Sequence, residues 1–220
     1  MKGLWGKLLR INLTDHSHEV EDIPEDVARK CVGGKALAAH YAIREVPRGA
    51  DALSPENVLY LFTGALTGTP APTGNRTVAA TKSPLTGTFT DSYMGGYWGP
   101  ELKFAGYDGI VLEGRSAEAV RIHVDDDEIT FADATGLWTK DTWETEAQIK
   151  GLVGKRPHPI KVLSIGPAGA RRDRLAAIIA DARAAARGGV GAVMGSKNLK
   201  AISIYGSRRP ELADKVTFMA

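Results

Sequence analysis

One cysteine, Cys31, stands in 220 residues. A single thiol excludes an internal disulfide framework, a cysteine-held iron–sulfur cluster and a structural zinc site within this chain. In an expected helix among apolar neighbours, it reads as a buried, inert side chain. An excess of charge is missing too: 28 Lys and Arg against 26 Asp and Glu leave a net +2. No global field recruits nucleic acid or an anionic membrane, so any anion site must be local. No apolar run approaches the length of a membrane span. The opening MKGLWGKLLRINL is broken by Lys7 and Arg10 and lacks the apolar core of a signal peptide, which points to a cytoplasmic protein.

Familiar catalytic spacings are absent as well. A phosphate-binding P-loop needs Gly, four residues, then Gly-Lys-Ser/Thr; around Gly195 the order is Gly-Ser-Lys, and Val190 stands where the first glycine belongs. A dinucleotide fingerprint starting at Gly189 would need glycine where Met194 stands. No serine sits in a nucleophile elbow, and His16, His18, His40, His123 and His158 have no partner motif. Asp125, Asp126 and Asp127 are adjacent carboxylates without the spacing of a calcium loop, and a solvated hairpin tip is their natural place.

What is present is an alternation of short strands and short helices. Leu4 to Leu13 and His18 to Ile23 read as a hairpin. Pro24 opens a helix with Glu25 and Asp26 in its first turn, Gly33 and Gly34 interrupt it, and Lys35 to Val46 forms a second helix. Strands are expected at Asn57–Thr63, Thr77–Thr81, Gly109–Glu113, Ala119–Val124, Glu128–Ala132, Ile160–Ile165 and Leu199–Tyr205, with another short apolar run at Leu175–Ala180. Short helices are expected at Glu101–Ala105 and at Glu144–Val153, the latter with Thr142 as N-cap and Gly154 as C-cap. After Arg209 the sequence turns polar. The boundaries drawn are a domain over residues 1–208 and an edge or linker over 209–220.

Three glycine-bearing loops carry an arginine or aromatic residue: TGNRT (Thr73–Thr77), SYMGGYWG (Ser92–Gly99) and RAAARGGVG (Arg183–Gly191). Arg183 and Arg187 lie four apart, on one face if the local chain is helical. Gly188, Gly189 and Gly191 strip side chains where a bulky anion needs close approach. If the preceding strands share a sheet edge, Arg76, Arg183 and Arg187 converge on a ligand with more than one phosphate. The alternative is a solvated helix end followed by a tight turn.

The combination of WGKLLRINL, LTGTPAPTGNR, TKSPLTG, MGGYWGPELKFAGYDGIVLEG, IGPAG and RGGVGAVMGSKNLKAI resembles the N-terminal domain of the aldehyde ferredoxin oxidoreductase family, over nearly the whole chain to about Gly206. That resemblance implies an α+β fold, a sheet-rich base with a few short helices. It implies a tungsten, or molybdenum, bis-pyranopterin cofactor and an enzyme oxidising aldehydes to carboxylic acids with ferredoxin as electron acceptor. It implies cofactor contacts at Arg76, Tyr93, Gly95, Arg183, Ala184, Ala186 and Arg187. Tyr93 and Ala184 would offer backbone carbonyls to a magnesium ion bridging the pterin phosphates; Tyr93 stands where asparagine is commoner and Ala186 where glycine is. No residue of this chain is given a catalytic role. The family's 4Fe-4S cluster has no ligands here, so C-terminal domains or a companion subunit must supply them; a homo-oligomer is compatible with the same reading. The other reading is a non-catalytic binding or assembly module, or a small subunit, on the same fold.

Overall fold

The computed structural model describes residues 2–219. It begins with the expected hairpin, β1 (Lys7–Asn12) and β2 (Ser17–Asp22). Helix α1 (Glu25–Cys31) follows, with Pro24 at its N-cap rather than inside its first turn and half-buried Cys31 at its end. Val32 (φ 57°) and Gly33 (φ 93°) turn the chain into α2 (Gly34–Glu45). Strands β3 (Leu59–Thr63), β4 (Thr77–Lys82) and β5 (Phe89–Met94), helix α3 (Trp98–Phe104) and strand β6 (Gly109–Glu113) complete the first half. These strands form one mixed sheet in the order β2-β1-β6-β3-β4-β5, with only β1 and β6 parallel.

The second half builds a second mixed sheet. Its elements are β7 (Val120–Asp125), β8 (Glu128–Asp133), α4 (Thr142–Val153), β9 (Lys161–Ser164), α5 (Pro167–Ala170), β10 (Ile178–Ala180), β11 (Arg183–Ala185), α6 (Val190–Ser196) and β12 (Leu199–Tyr205). The strand order is β11-β10-β9-β12-β7-β8, with β12 and β7 parallel. A last helix, α7 (Lys215–Met219), lies in the tail. The fold is α+β and sheet-rich, as the resemblance implied.

The main core lies between the sheets, where Leu9, Leu61 and Ile110 meet Ile122, Leu163 and Ile202 around the buried helices α3 and α6. The outer face of the first sheet is covered by α1 and α2 through Leu37, Tyr41, Tyr60 and Phe62. Helix α4 covers the second through Ile149 against Val162 and Ala201. A strand paired on both sides and buried on both faces reads as a mostly apolar run; β6 and β12 fall at the expected residues, although β12 also buries Lys200 and Ser203.

Several expectations need correcting. Helix α3 starts three residues before Glu101, because Trp98 and Pro100 are buried rather than part of the loop. Asp141, not Thr142, caps α4: its carboxylate accepts from the Glu144 amide at 2.8 Å, while Glu144 accepts from the Asp141 amide at 3.2 Å. The GPAG segment after β9 forms the start of the single helical turn α5, with Gly166 at its N-cap. In the run Leu175–Ala180 only the last three residues are extended. Strand β5 and helices α6 and α7 were not anticipated. The carboxylates Asp125–Asp127 do sit at the β7–β8 tip, where Asp125 pairs with Arg156, Asp126 accepts from Ser207 and Asp127 pairs with Arg208.

Two lysines are fully enclosed and satisfied by carbonyls rather than carboxylates. Lys197 Nζ donates to Asn57 O at 2.5 Å and Gly114 O at 2.9 Å; Lys200 Nζ donates to Lys140 O and Ile165 O, both at 2.7 Å. Burial, helped by the Arg115 charge, pushes Lys197 down to about 7, and burial pushes Lys200 down to about 8. Between those values and the ordinary 10.5 the unfolded chain binds more protons than the folded one. Stability therefore rises with pH across this window and is lowest, and flat for these groups, below it. Urea unfolding at pH 7, 8 and 9 should show stability increasing by up to about 1.4 kcal/mol per pH unit for each titrating lysine. Lys197→Met should flatten the slope.

Candidate functional site

The two sheets meet along their edges, where β5 of the first lies against β11 of the second. On β5, Thr90 and Ser92 face β11's continuation. The Arg187 amide donates to Ser92 Oγ at 2.9 Å, and Ser83 Oγ donates to Gly188 O at 2.8 Å. Past the end of β5, Gly95 lies beside Arg76, whose Nη1 is 3.5 Å from where a Gly95 side chain would begin. The β10–β11 turn is the pair Asp181 (φ 49°) and Ala182 (φ 55°), and Asp181 Oδ2 accepts from the Tyr97 amide at 2.7 Å.

All seven expected contact residues thus lie along one seam. Arg76, Tyr93 and Gly95 come from the first sheet, and Arg183, Ala184, Ala186 and Arg187 from the second. Arg76, Tyr93, Arg183, Ala184, Ala186 and Arg187 are exposed, so the seam is an open face. Among the described residues the guanidinium groups of Arg76, Arg183 and Arg187 make no hydrogen bond or ion pair within the chain. The neighbouring carboxylates are already engaged: Asp91 with Lys35 at 2.8 Å and Asp181 with Lys161 at 3.4 Å. Burial and the Asp91 charge both push the Tyr93 phenol up, so it stays neutral. The face is cationic and unquenched, the chemistry a polyphosphate ligand requires. Among the described residues no cluster of His, Cys, Asp and Glu is placed to hold a metal ion.

Two parts of the sequence reading change. Arg183 and Arg187 do not share a helical face, because Arg183–Ala185 is extended and pairs with β10. The glycines after Arg187 are not bare amides awaiting a ligand. Side chains there would overlap Thr90 at Gly188, Arg174 O at Gly189 and Ala177 O at Gly191, so these glycines serve close packing of the chain on itself. Gly95 alone keeps the open approach expected of a ligand-facing glycine. Ala186 does not have positive φ, so its methyl is unstrained where glycine is commoner. Sequence reasoning missed Ser92, Lys161 and Asp181. The one available signal was an Asp-Ala pair in the tight connection between two extended segments, where a left-handed turn favours Asp.

Comparison with known proteins follows the same outline. Residues 8–206 match the family model for the aldehyde ferredoxin oxidoreductase N-terminal domain. The whole chain is 50% identical to a tungsten-containing aldehyde ferredoxin oxidoreductase of Pyrococcus furiosus, covering 36% of it, and 49% identical to that of Thermococcus kodakarensis, again covering 36%. It is 35% identical, over 96% of its length, to the WOR-like subunit of an aliphatic sulfonate oxidoreductase of Pyrococcus furiosus. Among solved structures, a chain of the active-site complex BamBC of benzoyl coenzyme A reductase, in complex with 1,5-dienoyl-CoA, superposes over 99% of this chain with a TM-score of 0.96 and 36% identity; 33% of that chain is covered. The chain therefore spans about a third of the length of the relatives it matches. Among the described residues no helix is long and apolar enough to cross a membrane. With its sequence matched from β1 to the end of β12 and its two sheets superposed on those of a relative, this chain belongs to the aldehyde ferredoxin oxidoreductase family, as its N-terminal domain.

Proposed function

We propose that the β5–β11 seam seats the phosphate ends of a tungsten, or molybdenum, bis-pyranopterin cofactor, within a cytoplasmic oxidoreductase of which residues 1–208 form the base and 209–220 lead onward. The observation that carries this reading is three exposed arginines without acidic partners beside a glycine that leaves the backbone open. Arg76, Arg183 and Arg187 neutralise phosphate charge, and Gly95 and Ala186 let the chain approach the ligand closely. Edge strands leave main-chain groups unpaired, which suits Tyr93 on β5 and Ala184 on β11 to offer carbonyls to a magnesium ion between the phosphates.

The cofactor, when bound, supplies the two-electron chemistry that turns an aldehyde and water into a carboxylic acid, with electrons leaving through a 4Fe-4S cluster to ferredoxin. The relatives' names support the tungsten and the ferredoxin. The cluster's ligands and the substrate-facing groups come from further domains or a companion subunit, since Cys31 is the chain's one thiol. The test uses the intact protein carrying Arg76→Ala or Arg187→Ala. Losing one charge-assisted phosphate contact, worth about 1.5–3 kcal/mol, should cut tungsten and pterin content per folded protein roughly tenfold or more under limiting cofactor. Full retention of both in both variants overturns the reading.

A further inference from the structure

We propose that Asp181 is a positioning residue that clamps the glycine loop of the first sheet onto the edge hairpin of the second, fixing the distance between the two halves of the seam. The proposal rests on the cofactor seat described above but names a residue outside the set expected to contact the cofactor. Asp181 is the first residue of the two-residue turn between β10 and β11, and both turn residues adopt left-handed backbone angles, φ 49° and 55°. Such a turn favours Asn-Gly or Asp-Gly, and Ala182 holds its strained conformation without a side-chain reason of its own. The reason lies across the seam. Asp181 Oδ2 accepts from the Tyr97 amide at 2.7 Å, and its Oδ1 is 3.4 Å from Lys161 Nζ. Lys161 Nζ in turn stands 5.0 Å from the centre of the Tyr97 ring, so the ammonium neutralises the carboxylate and covers the residue it holds.

Gly96 completes the fit. Its φ is +90°, and any side chain there would begin 3.0 Å from both Cβ and Oδ2 of Asp181. The aspartate occupies the space that Gly96 leaves. On one side of this contact lie Gly95 and Arg76; on the other, Arg183 and Ala184 follow within three residues. A ligand bridging the two edges needs these groups at a fixed separation, and the Asp181 contact spans the gap without using any of them.

The test compares Asp181→Asn, Asp181→Gly and the parent in the intact protein. Asparagine keeps both the left-handed turn and an oxygen acceptor and loses only the charge. Glycine keeps the turn and loses the acceptor. Without cofactor, amide hydrogen exchange in a peptide covering Tyr93–Pro100 should be roughly tenfold faster in Asp181→Gly and within about threefold of the parent in Asp181→Asn, with the β7–β8 hairpin unchanged in both. Reconstituted with limiting cofactor, Asp181→Gly should hold less pterin than Asp181→Asn. The proposal is overturned if Asp181→Gly exchanges like the parent, if it exchanges faster yet keeps a full pterin complement, or if Asp181→Asn behaves like Asp181→Gly. A failed seat is read separately. Arg76→Ala and Arg187→Ala would then keep full cofactor, whereas a failed clamp leaves those two depleted and Asp181→Gly full.

Discussion

Gly195→Ala should lower the stability of this domain by about 3 kcal/mol or more, a fall in melting midpoint of roughly 6–12 °C for a chain of this size. Gly195 lies near the end of α6, one helical turn after Gly191, and both face neighbouring main chain rather than side chains. A methyl at Gly195 would overlap the Gly169 carbonyl of α5, and one at Gly191 would overlap the Ala177 carbonyl. Backbone cannot rotate aside as a flexible side chain can, so α6 would have to move as a unit between the two sheets. Helix α6 follows directly on Arg187, Gly188 and Gly189, so the same movement displaces an arginine of the seam. Gly95→Ala is the control. Its methyl would meet only the tip of Arg76 at 3.5 Å and its φ is not positive, so the melting midpoint should stay within a degree or two. Thermal unfolding followed by circular dichroism separates the two, and equal midpoints would refute the packing role assigned to α6.

The glycines show where a sequence informs and where it misleads. RGGVGAVMGSK is conspicuous in any reading, and its density suggests ligand approach. Four of its glycines are in fact demanded by Thr90, Arg174, Ala177 and Gly169, residues on other elements. Strand β6 was legible because burial on both faces writes itself as the apolar run Ile110–Leu112, and β12 because its apolar residues outnumber the buried Lys200 and Ser203. Helices α3 and α6 are buried all round, so they carry no periodic polar face, and their Gly and Pro content argues against helix. Strand β5 hides for the opposite reason: Thr90, Asp91 and Ser92 are polar, because an edge strand at a seam meets another edge, not a core. The arginines could be picked out individually. Their meeting could be written only as a condition on shared sheet edges, because the seam depends on two sheets whose edges meet between residues as far apart as Ser92 and Arg187.

Asp108→Ala should be among the most damaging single changes in the chain, costing about 3–5 kcal/mol in urea unfolding, because it strands a buried charge. Lys103 and Asp108 form an ion pair with both side chains fully buried. The pair is not symmetric. Asp108 also accepts from the amides of Gly6 at 2.7 Å and Trp5 at 3.2 Å, whereas Lys103 Nζ has only the Gly3 carbonyl, at 2.8 Å, besides the carboxylate. Removing the carboxylate leaves an ammonium with one acceptor and takes this acceptor from the amides of Trp5, Gly6 and Lys7. Burial already pushes the Lys103 ammonium down and only Asp108 resists that shift, so the stranded lysine escapes most cheaply by losing its proton. Lys103→Met, in contrast, leaves a carboxylate still held by main-chain amides and a side chain that fills most of the lysine's volume. It should therefore cost clearly less than Asp108→Ala. The ordering is the sharper test: a Lys103→Met variant as unstable as Asp108→Ala would mean that the ion pair itself, rather than the anchoring of Trp5–Lys7 by the carboxylate, holds the N-terminal segment against α3. That anchoring matters to the seam because α3 is the continuation of the Gly95–Tyr97 loop, and a helix loosened at Lys103 no longer fixes the loop that precedes it.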